Sequence, residues 1–455
     1  MLDRLTGDVP VRERFLRGWV AGVLLYLVTF VWMQDFTLPG YVLGSAFSAL
    51  LLGGVLAAVP PDGGWARWLT LPGALALLEA LRLVFPFGGM PLSNLALGQA
   101  AGPLGAPARI GTYLLVVLLL GLAGAALAAA VDRAWPVAGV MAGAVVVVAA
   151  VAPFAPDGRP DGSLRVAIVQ GGGELGTRAV DTDERVVFER HLAASGTIEA
   201  GDVDLVLWPE DVVDVEGNVL RTREGDELAD LARSLDATVV AGVVEGTGDR
   251  FRNSVVVWAP DGEAVDRYEK VRRVPFGEYI PFRSLIDEVA DLSLIPREAL
   301  VGEGPGFVES PAGDFGVVIS YELFFIDRAR SGIEEGGGVL LAPTNSSSYR
   351  LSLVASQAVA ATRMRALETG RWTLLAAPTG FSAVVDEDGR VRARTGQRER
   401  AVLEETVEVR TGHTIATRIG RLPVIGVAAL LLGLSWALRP RGGPTPRSAE
   451  SPDRR

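Results

Sequence analysis

The chain has 455 residues and 49% hydrophobic content, with a mean hydropathy of +0.31, which is too long for one ordinary domain and more apolar than soluble proteins usually are; a membrane protein is the first expectation. A net charge of -11 leaves no basic face for a nucleic-acid backbone. With no cysteine and only His191 and His413, disulfides, thiolate chemistry and a histidine-rich metal centre are excluded, and neither a metal nor a cofactor is expected.

Apolar runs of about 20 residues, the length that crosses ~30 Å of hydrocarbon, lie near 15–34, 40–59, 66–85, 108–131, 134–153 and 421–438. Six spans are expected from them. Trp19, Tyr26 and Trp32 flank the first as interfacial anchors, and no small-residue cleavage site accompanies it, so it reads as a retained helix. Arg4, Arg12, Arg14 and Arg17 precede or open the first span, while Arg439, Arg441, Arg447, Arg454 and Arg455 follow the last. Positive charge collects on the cytoplasmic side, so both termini are placed there. The expected organisation is a bundle of five spans over 1–153, a domain over 154–418 on the outer face, a final transmembrane helix over 419–438 and a tail over 439–455. Within the third span, Glu79 and Arg82 stand one helical turn apart, spaced to neutralise each other. The tail is rich in Pro, Gly, Ser and Arg without an apolar period, and disorder is expected of it.

In the outer domain, short apolar runs at Leu164–Val169, Asp204–Trp208, Thr238–Val244, Ser254–Trp258, Gly316–Ile319, Val339–Ala342 and Thr373–Ala377 read as buried strands. Helical stretches at Asp183–Ala194, Asp226–Leu235 and Leu351–Glu368 fall between them, an alternation that predicts an α/β fold. The glycine run Gly171-Gly172-Gly173-Glu174-Leu175-Gly176 matches a dinucleotide fingerprint in spelling only. The helical pattern opens near Asp183, too late to present its N-terminus to a pyrophosphate.

Polar residues at strand ends are where such a sheet presents its chemistry. Glu210 closes the run Leu205-Val206-Leu207-Trp208-Pro209-Glu210, where burial beside Trp208 suits a general base. Lys270 is the only lysine among 43 lysines and arginines. An ammonium is a compact point charge able to stabilise an oxyanion or to exchange a proton, which a planar guanidinium does less well. Glu278 lies eight residues further on. The strand Phe315-Gly316-Val317-Val318-Ile319 then delivers Ser320-Tyr321-Glu322 into a turn, as a scaffold presents a nucleophile. Each residue alone reads more readily as an ordinary loop charge; together they form a base, a cation and a hydroxyl.

At these residues the chain resembles the apolipoprotein N-acyltransferases, a membrane-embedded branch of the nitrilase superfamily. The resemblance rests on Trp208-Pro209-Glu210, Tyr268-Glu269-Lys270, Val274-Pro275-Phe276-Gly277-Glu278-Tyr279-Ile280-Pro281, Ile319-Ser320-Tyr321-Glu322, Thr344-Asn345, the stretch Arg363 to Arg371, and Gly412-His413-Thr414 with Arg418-Ile419-Gly420. It implies a helical membrane bundle joined to a nitrilase-like α-β-β-α sandwich. It also implies a catalytic triad falling on Glu210, Lys270 and Ser320, supported by Glu278, Tyr321, Glu322 and Asn345. The implied reaction moves an acyl chain from a phospholipid to the N-terminal diacylglyceryl-cysteine of an apolipoprotein, by a monomer in the cell membrane. The sequence departs from the family in three places. Serine stands where the family has a nucleophilic cysteine, six spans are found where eight are usual, and a tryptophan expected after the first strand of the outer domain is absent. Two further readings stay open: a catalytically inactive relative that binds lipid or lipoprotein, and a membrane-tethered amidase.

Overall fold

The structure, a computed structural model, describes residues 9–35, 38–60, 64–174, 182–286, 297–347 and 352–438. Every apolar run holds a helix. These are α1 (Val11–Thr29), α2 (Leu38–Ala57), α3 (Thr70–Arg82), α4 (Ala108–Val131) and α5 (Trp135–Val151), with a last helix over Leu422–Ala437. Among the described residues three helices are long and apolar enough to cross a membrane, namely Leu38–Ala57, Ala108–Val131 and Trp135–Phe154. The run at 66–85 is not one helix: a 3-10 segment, Gly64–Leu69, precedes α3. Glu79 and Arg82 do pair, with Arg82 Nη1 3.0 Å from both carboxylate oxygens. Arg4 and the tail arginines lie outside the described residues, as does the tail expected to be disordered.

The outer domain runs in the order β1 (Arg159–Gln170), α6 (Glu184–Ser195), β2 (Leu205–Leu207), β3 (Val213–Glu216), α7 (Arg223–Leu235), β4 (Thr238–Thr247), β5 (Arg250–Trp258), β6 (Ala264–Glu269), α8 (Arg283–Ile286) and β7 (Glu298–Ala299). It continues with β8 (Phe307–Val308), β9 (Phe315–Val317), α9 (Ile326–Glu334), β10 (Val339–Pro343), α10 (Ser352–Thr369), β11 (Thr373–Ala376), β12 (Ala383–Val385), β13 (Val391–Arg394), β14 (Ala401–Thr411) and α11 (Ile415–Ile419). The helix over Leu422–Ala437 is α12. The strands form two sheets, one in the order β14-β1-β2-β4-β5-β6 with β3 on β4 and β7 on β5, the other β13-β12-β11-β10-β9-β8.

Alternation along the strands decides the layers, because successive side chains point to opposite faces. Val166 and Ile168 of β1, Leu205 and Leu207 of β2 and Val240 of β4 meet Val317, Leu341 and Leu374 of the other sheet in one dry core. Their neighbours Ala167, Val169, Val206 and Val239 point outward onto Phe188 of α6 and Leu228 and Leu235 of α7. On the second sheet, Val318, Leu340 and Leu375 pack outward with Met364 and Leu367 of α10. The result is the expected α-β-β-α sandwich. The same outer cluster takes in Tyr113, Leu114 and Val117 of α4 and Val424 of α12, so α10 is the layer through which the sandwich rests on the apolar bundle.

That junction has a polar hinge pin. At Thr112 (φ 60°) the backbone of α4 leaves the helical region, and the freed Tyr113 amide donates to Glu368 Oε1 of α10 at 2.6 Å. Glu368 is itself paired with Arg365 at 2.7 Å. The glycine run gives no phosphate cradle among its described residues. Gly172 N donates to Pro378 O, Gly173 N to Arg398 O, and α6 opens only at Glu184 with Asp183 as its cap.

Candidate active site

β2 is three residues long and fully buried, and Trp208 N extends the ladder by donating to Val240 O at 2.8 Å. The Trp208 ring is anchored edge-on to Phe188 and by its Nε1, which donates to Ser195 Oγ at 2.9 Å. Glu210 therefore leaves the strand end at a fixed position. Gly242 on β4 makes room for it, since a Cβ there would lie 2.4 Å from Pro209 O and 2.6 Å from Glu210 Cα.

Lys270 follows β6 and is held by its backbone on both sides, donating to Asn253 O and accepting from Gly302 N, each at 2.9 Å. Its Nζ lies 2.8 Å from Glu210 Oε1 and 2.7 Å from Glu278 Oε1. Asn253 Nδ2 bridges the same two oxygens at 2.9 and 3.1 Å. The remaining carboxylate oxygens are taken by backbone amides, Glu210 Oε2 by Asn345 N at 2.8 Å and Glu278 Oε2 by Val274 N at 2.7 Å. Burial opposes the charge on Lys270, but Glu210, Glu278 and Asp211 outweigh it and raise its pKa, so the side chain is an ammonium at neutral pH.

Ser320 begins a 3-10 turn three residues past the end of β9 with φ 50°, a left-handed conformation uncommon for a residue with a side chain. Glu322 holds that turn. Its Oε2 accepts from Ile319 N at 3.0 Å, and its Oε1 accepts from Tyr268 OH, Val271 N and Arg272 N at 2.8, 2.9 and 3.0 Å. One buried carboxylate thus ties the serine turn to the lysine loop. Ser320 is partly accessible while Glu210 and Lys270 are buried. Thr344 Oγ1 reaches Ser320 Oγ at 3.5 Å, and the next residue is Asn345, whose amide meets Glu210.

Among the described contacts Ser320 has no hydrogen bond to Glu210 or Lys270. The structure brings Glu210, Lys270 and Glu278 into direct contact, while Ser320 meets Thr344, whose neighbour Asn345 meets Glu210. Tyr321 points away from the ion pair, its OH donating to Gly89 O at 2.8 Å in the loop after α3. His191 is no partner for the serine: it is buried beside Trp208, its Nδ1–H donates to Val187 O at 2.8 Å, and burial holds its pKa down at about 4.

Two residues go beyond the sequence reading. Asn253, inside β5, shares its amide between two carboxylates. Asp211, at φ 58°, turns beside them with Oδ2 3.5 Å from Asn345 Nδ2 and a buried, unpartnered Oδ1. Burial first and the Glu210 charge second push the Asp211 carboxyl well above its ordinary range, against the pull of Lys270. A cavity of about 140 Å³ next to the serine turn is walled by Phe87 and Gly89 from the loop after α3, by Arg272 and Arg273, and by Tyr321 and Phe325; Glu210, Lys270, Glu278 and Ser320 do not line it. The arrangement offers a proton acceptor, a fixed positive charge and a hydroxyl at the seam between sandwich and bundle.

Residues 165–416 match the carbon-nitrogen hydrolase family, and residues 4–126 match the apolipoprotein N-acyltransferase N-terminal domain. An apolipoprotein N-acyltransferase of Azotobacter vinelandii is 30% identical over 471 residues, covering 95% of this chain and 87% of that protein. The one from Vibrio cholerae is 28% identical, covering 85% of this chain and 81% of its own length. The one from Mycolicibacterium smegmatis is 29% identical over 376 residues, and the match covers 74% of this chain and 63% of that longer protein.

Proposed function

The chain belongs to the carbon-nitrogen hydrolase family and, within it, to the apolipoprotein N-acyltransferases, and from that membership we propose a phospholipid-dependent transfer of an acyl chain to the N-terminal amine of a diacylglyceryl-cysteine on a lipoprotein. The observation that carries the reading is the buried cluster of Glu210, Lys270 and Glu278, set behind an accessible Ser320 at the edge of the apolar bundle.

In the first half-reaction Ser320 Oγ attacks the ester carbonyl of the phospholipid while Glu210 takes the hydroxyl proton. Lys270 faces the negative charge that develops on the carbonyl oxygen, a fixed donor in a water-poor site. Collapse breaks the bond to the glycerol oxygen, which leaves with the proton from Glu210 as a lysophospholipid, and the acyl chain stays on Ser320 as an ester. In the second half the lipoprotein amine attacks that ester, Glu210 takes its proton, and the same proton returns to Ser320 Oγ as the amide departs. A hydroxyl is a harder nucleophile to generate than a thiol, so the held ammonium and the shielded carboxylate carry more of the barrier here.

We place the sandwich on the outer face, with six helices crossing the membrane, both termini cytoplasmic and the protein acting as a monomer. The arginine pattern supports the sidedness, the six apolar runs support the count, and the three long apolar helices support the membrane setting. A second reading, an inactive lipid- or lipoprotein-binding relative, is favoured by one observation: Ser320 Oγ meets Thr344 rather than Glu210. Purified protein with phospholipid and a diacylglyceryl-cysteine peptide decides between them, compared across serine, cysteine and alanine at position 320. Acyl mass on Ser320 followed by triacylated peptide supports the enzyme; binding of both lipids with no product from the serine form supports the binder; release of ammonia from small amides would point to an amidase.

A further inference from the structure

Arg272 and Arg273 follow Lys270 by two and three residues on the loop that Glu322 clamps, so the Lys270 ammonium and the two guanidinium groups are fixed in one register. Both arginines wall the cavity beside the serine turn, and no carboxylate lines it. Each gives one hydrogen bond to a backbone carbonyl, Arg272 Nη1 to Gly88 O at 3.1 Å and Arg273 Nη1 to Ala299 O at 2.9 Å. Among the described residues neither has an ion-pair partner, although acids outnumber bases in this chain by 54 to 43. A guanidinium has five N–H donors, so most of theirs are unspent. Their flat faces are occupied, Arg272 over Phe325 at 5.0 Å and Arg273 over Tyr279 at 4.4 Å.

We infer that this cavity holds the phosphodiester of the acyl donor and selects a lipid whose head group is net anionic, such as a phosphatidylglycerol, over a zwitterionic one. The inference rests on the acyl-transfer reading above and adds the chemistry of the donor. One phosphate pairs with one guanidinium in fork geometry, and the second guanidinium then repels a head-group ammonium. The aromatic faces that would receive a quaternary ammonium are already covered by the arginines. The loop after α3 contributes Phe87, Gly88 and Gly89 to the same wall, which brings the site to the seam where a lipid enters.

The test reads binding separately from turnover. Native mass spectrometry of the full chain in neutral detergent is run with equimolar phosphatidylglycerol and phosphatidylcholine of identical acyl chains. The phosphatidylglycerol adduct is expected in about fivefold excess, the scale of a single partly exposed charge pair. The excess is expected to vanish in Arg272→Gln/Arg273→Gln, to survive in Arg272→Lys/Arg273→Lys, which keeps the charge, and to survive in Ser320→Ala, which removes the hydroxyl. Equal adducts in the unmodified protein, an excess that persists in the glutamine variant, or its loss in the lysine variant would each overturn the inference. Displacement of the lipid by stoichiometric inorganic phosphate would assign the cavity to a soluble anion and overturn the lipid reading. If the lipid excess follows the arginines but no acyl transfer occurs, the head-group site stands and the enzymatic reading alone fails.

Discussion

Glu322, two residues after Ser320, accepts the backbone amide of Val271, one residue after Lys270, at 2.9 Å. The nucleophile turn and the lysine loop come from different sheets, so this buried carboxylate sets the distance between a hydroxyl and the charge meant to stabilise its oxyanion. Replacing it by an amide of the same shape turns one acceptor into a donor that faces other donors. Glu322→Gln is expected to lower kcat about 10- to 100-fold, the cost of one to two charged hydrogen bonds, while KM for lipid changes little. Retention of full activity would show that the turn is held by packing alone.

Lys270→Arg keeps the charge and is expected to lose about 10²- to 10³-fold in rate, the scale of a lost oxyanion donor. Nζ sits 2.8 and 2.7 Å from two carboxylates and is 2% exposed, leaving no volume for a planar fork. Steady-state acyl transfer with a melting curve of the same preparation checks it. Activity near the unmodified level would demote the lone lysine to an accident of composition.

How much of this was legible in the sequence depends on where a residue gets its meaning. Glu210 and Ser320 each follow an apolar strand, and strand ends announce themselves through hydrophobic pattern; Lys270 follows the polar strand β6 and stands out instead as the only lysine of the chain. Asn253 is different. It lies within β5 opposite Val244 and reads as a strand residue, and only folding of β5 against β6 brings its amide between Glu210 and Glu278. Asp211 is likewise silent, because its left-handed φ, which turns it back beside Glu210, is a property of the folded loop. β14 also escapes a search for apolar runs. Among the described strands it is an edge strand paired with β1, and Glu404, Thr406 and Glu408 alternate along the face that solvent reaches. In the bundle, the run at 66–85 reads as one span because hydropathy averages over the 3-10 segment and α3 alike.

Ser320→Cys tests the nucleophile directly. A thiol has a reference pKa of ~8.5, and even in part ionised it attacks esters faster than a neutral hydroxyl. With Glu210, Lys270 and the turn unchanged, the cysteine variant is expected to form acyl-enzyme at least about 10-fold faster than the serine form, and Ser320→Ala to form none. Intact mass after incubation with phospholipid reads all three. Acyl mass on the alanine variant would move the attachment site elsewhere and dismantle the mechanism.

Asp211 supplies a pH signature. Burial and the Glu210 charge push its carboxyl well above 3.8, so between the unfolded and folded pKa values the folded protein holds a proton that the unfolded chain has released. The folded state then binds more protons than the unfolded one, and stability falls as pH rises through that window. Below the unfolded pKa both states are protonated and the penalty vanishes. Asp211→Asn keeps the shape of the protonated side chain and removes the titration. Relative to the unmodified protein it is expected to gain nothing near pH ~4, and to gain stability above it by up to ~1.4 kcal/mol per pH unit until the folded pKa is reached. Melting temperatures of the two detergent-solubilised proteins, compared at acidic, neutral and mildly alkaline pH, read the difference. A constant offset at every pH, or a gain that shrinks as pH rises, would mean that Asp211 is ionised in the fold and that a full third negative charge faces Lys270.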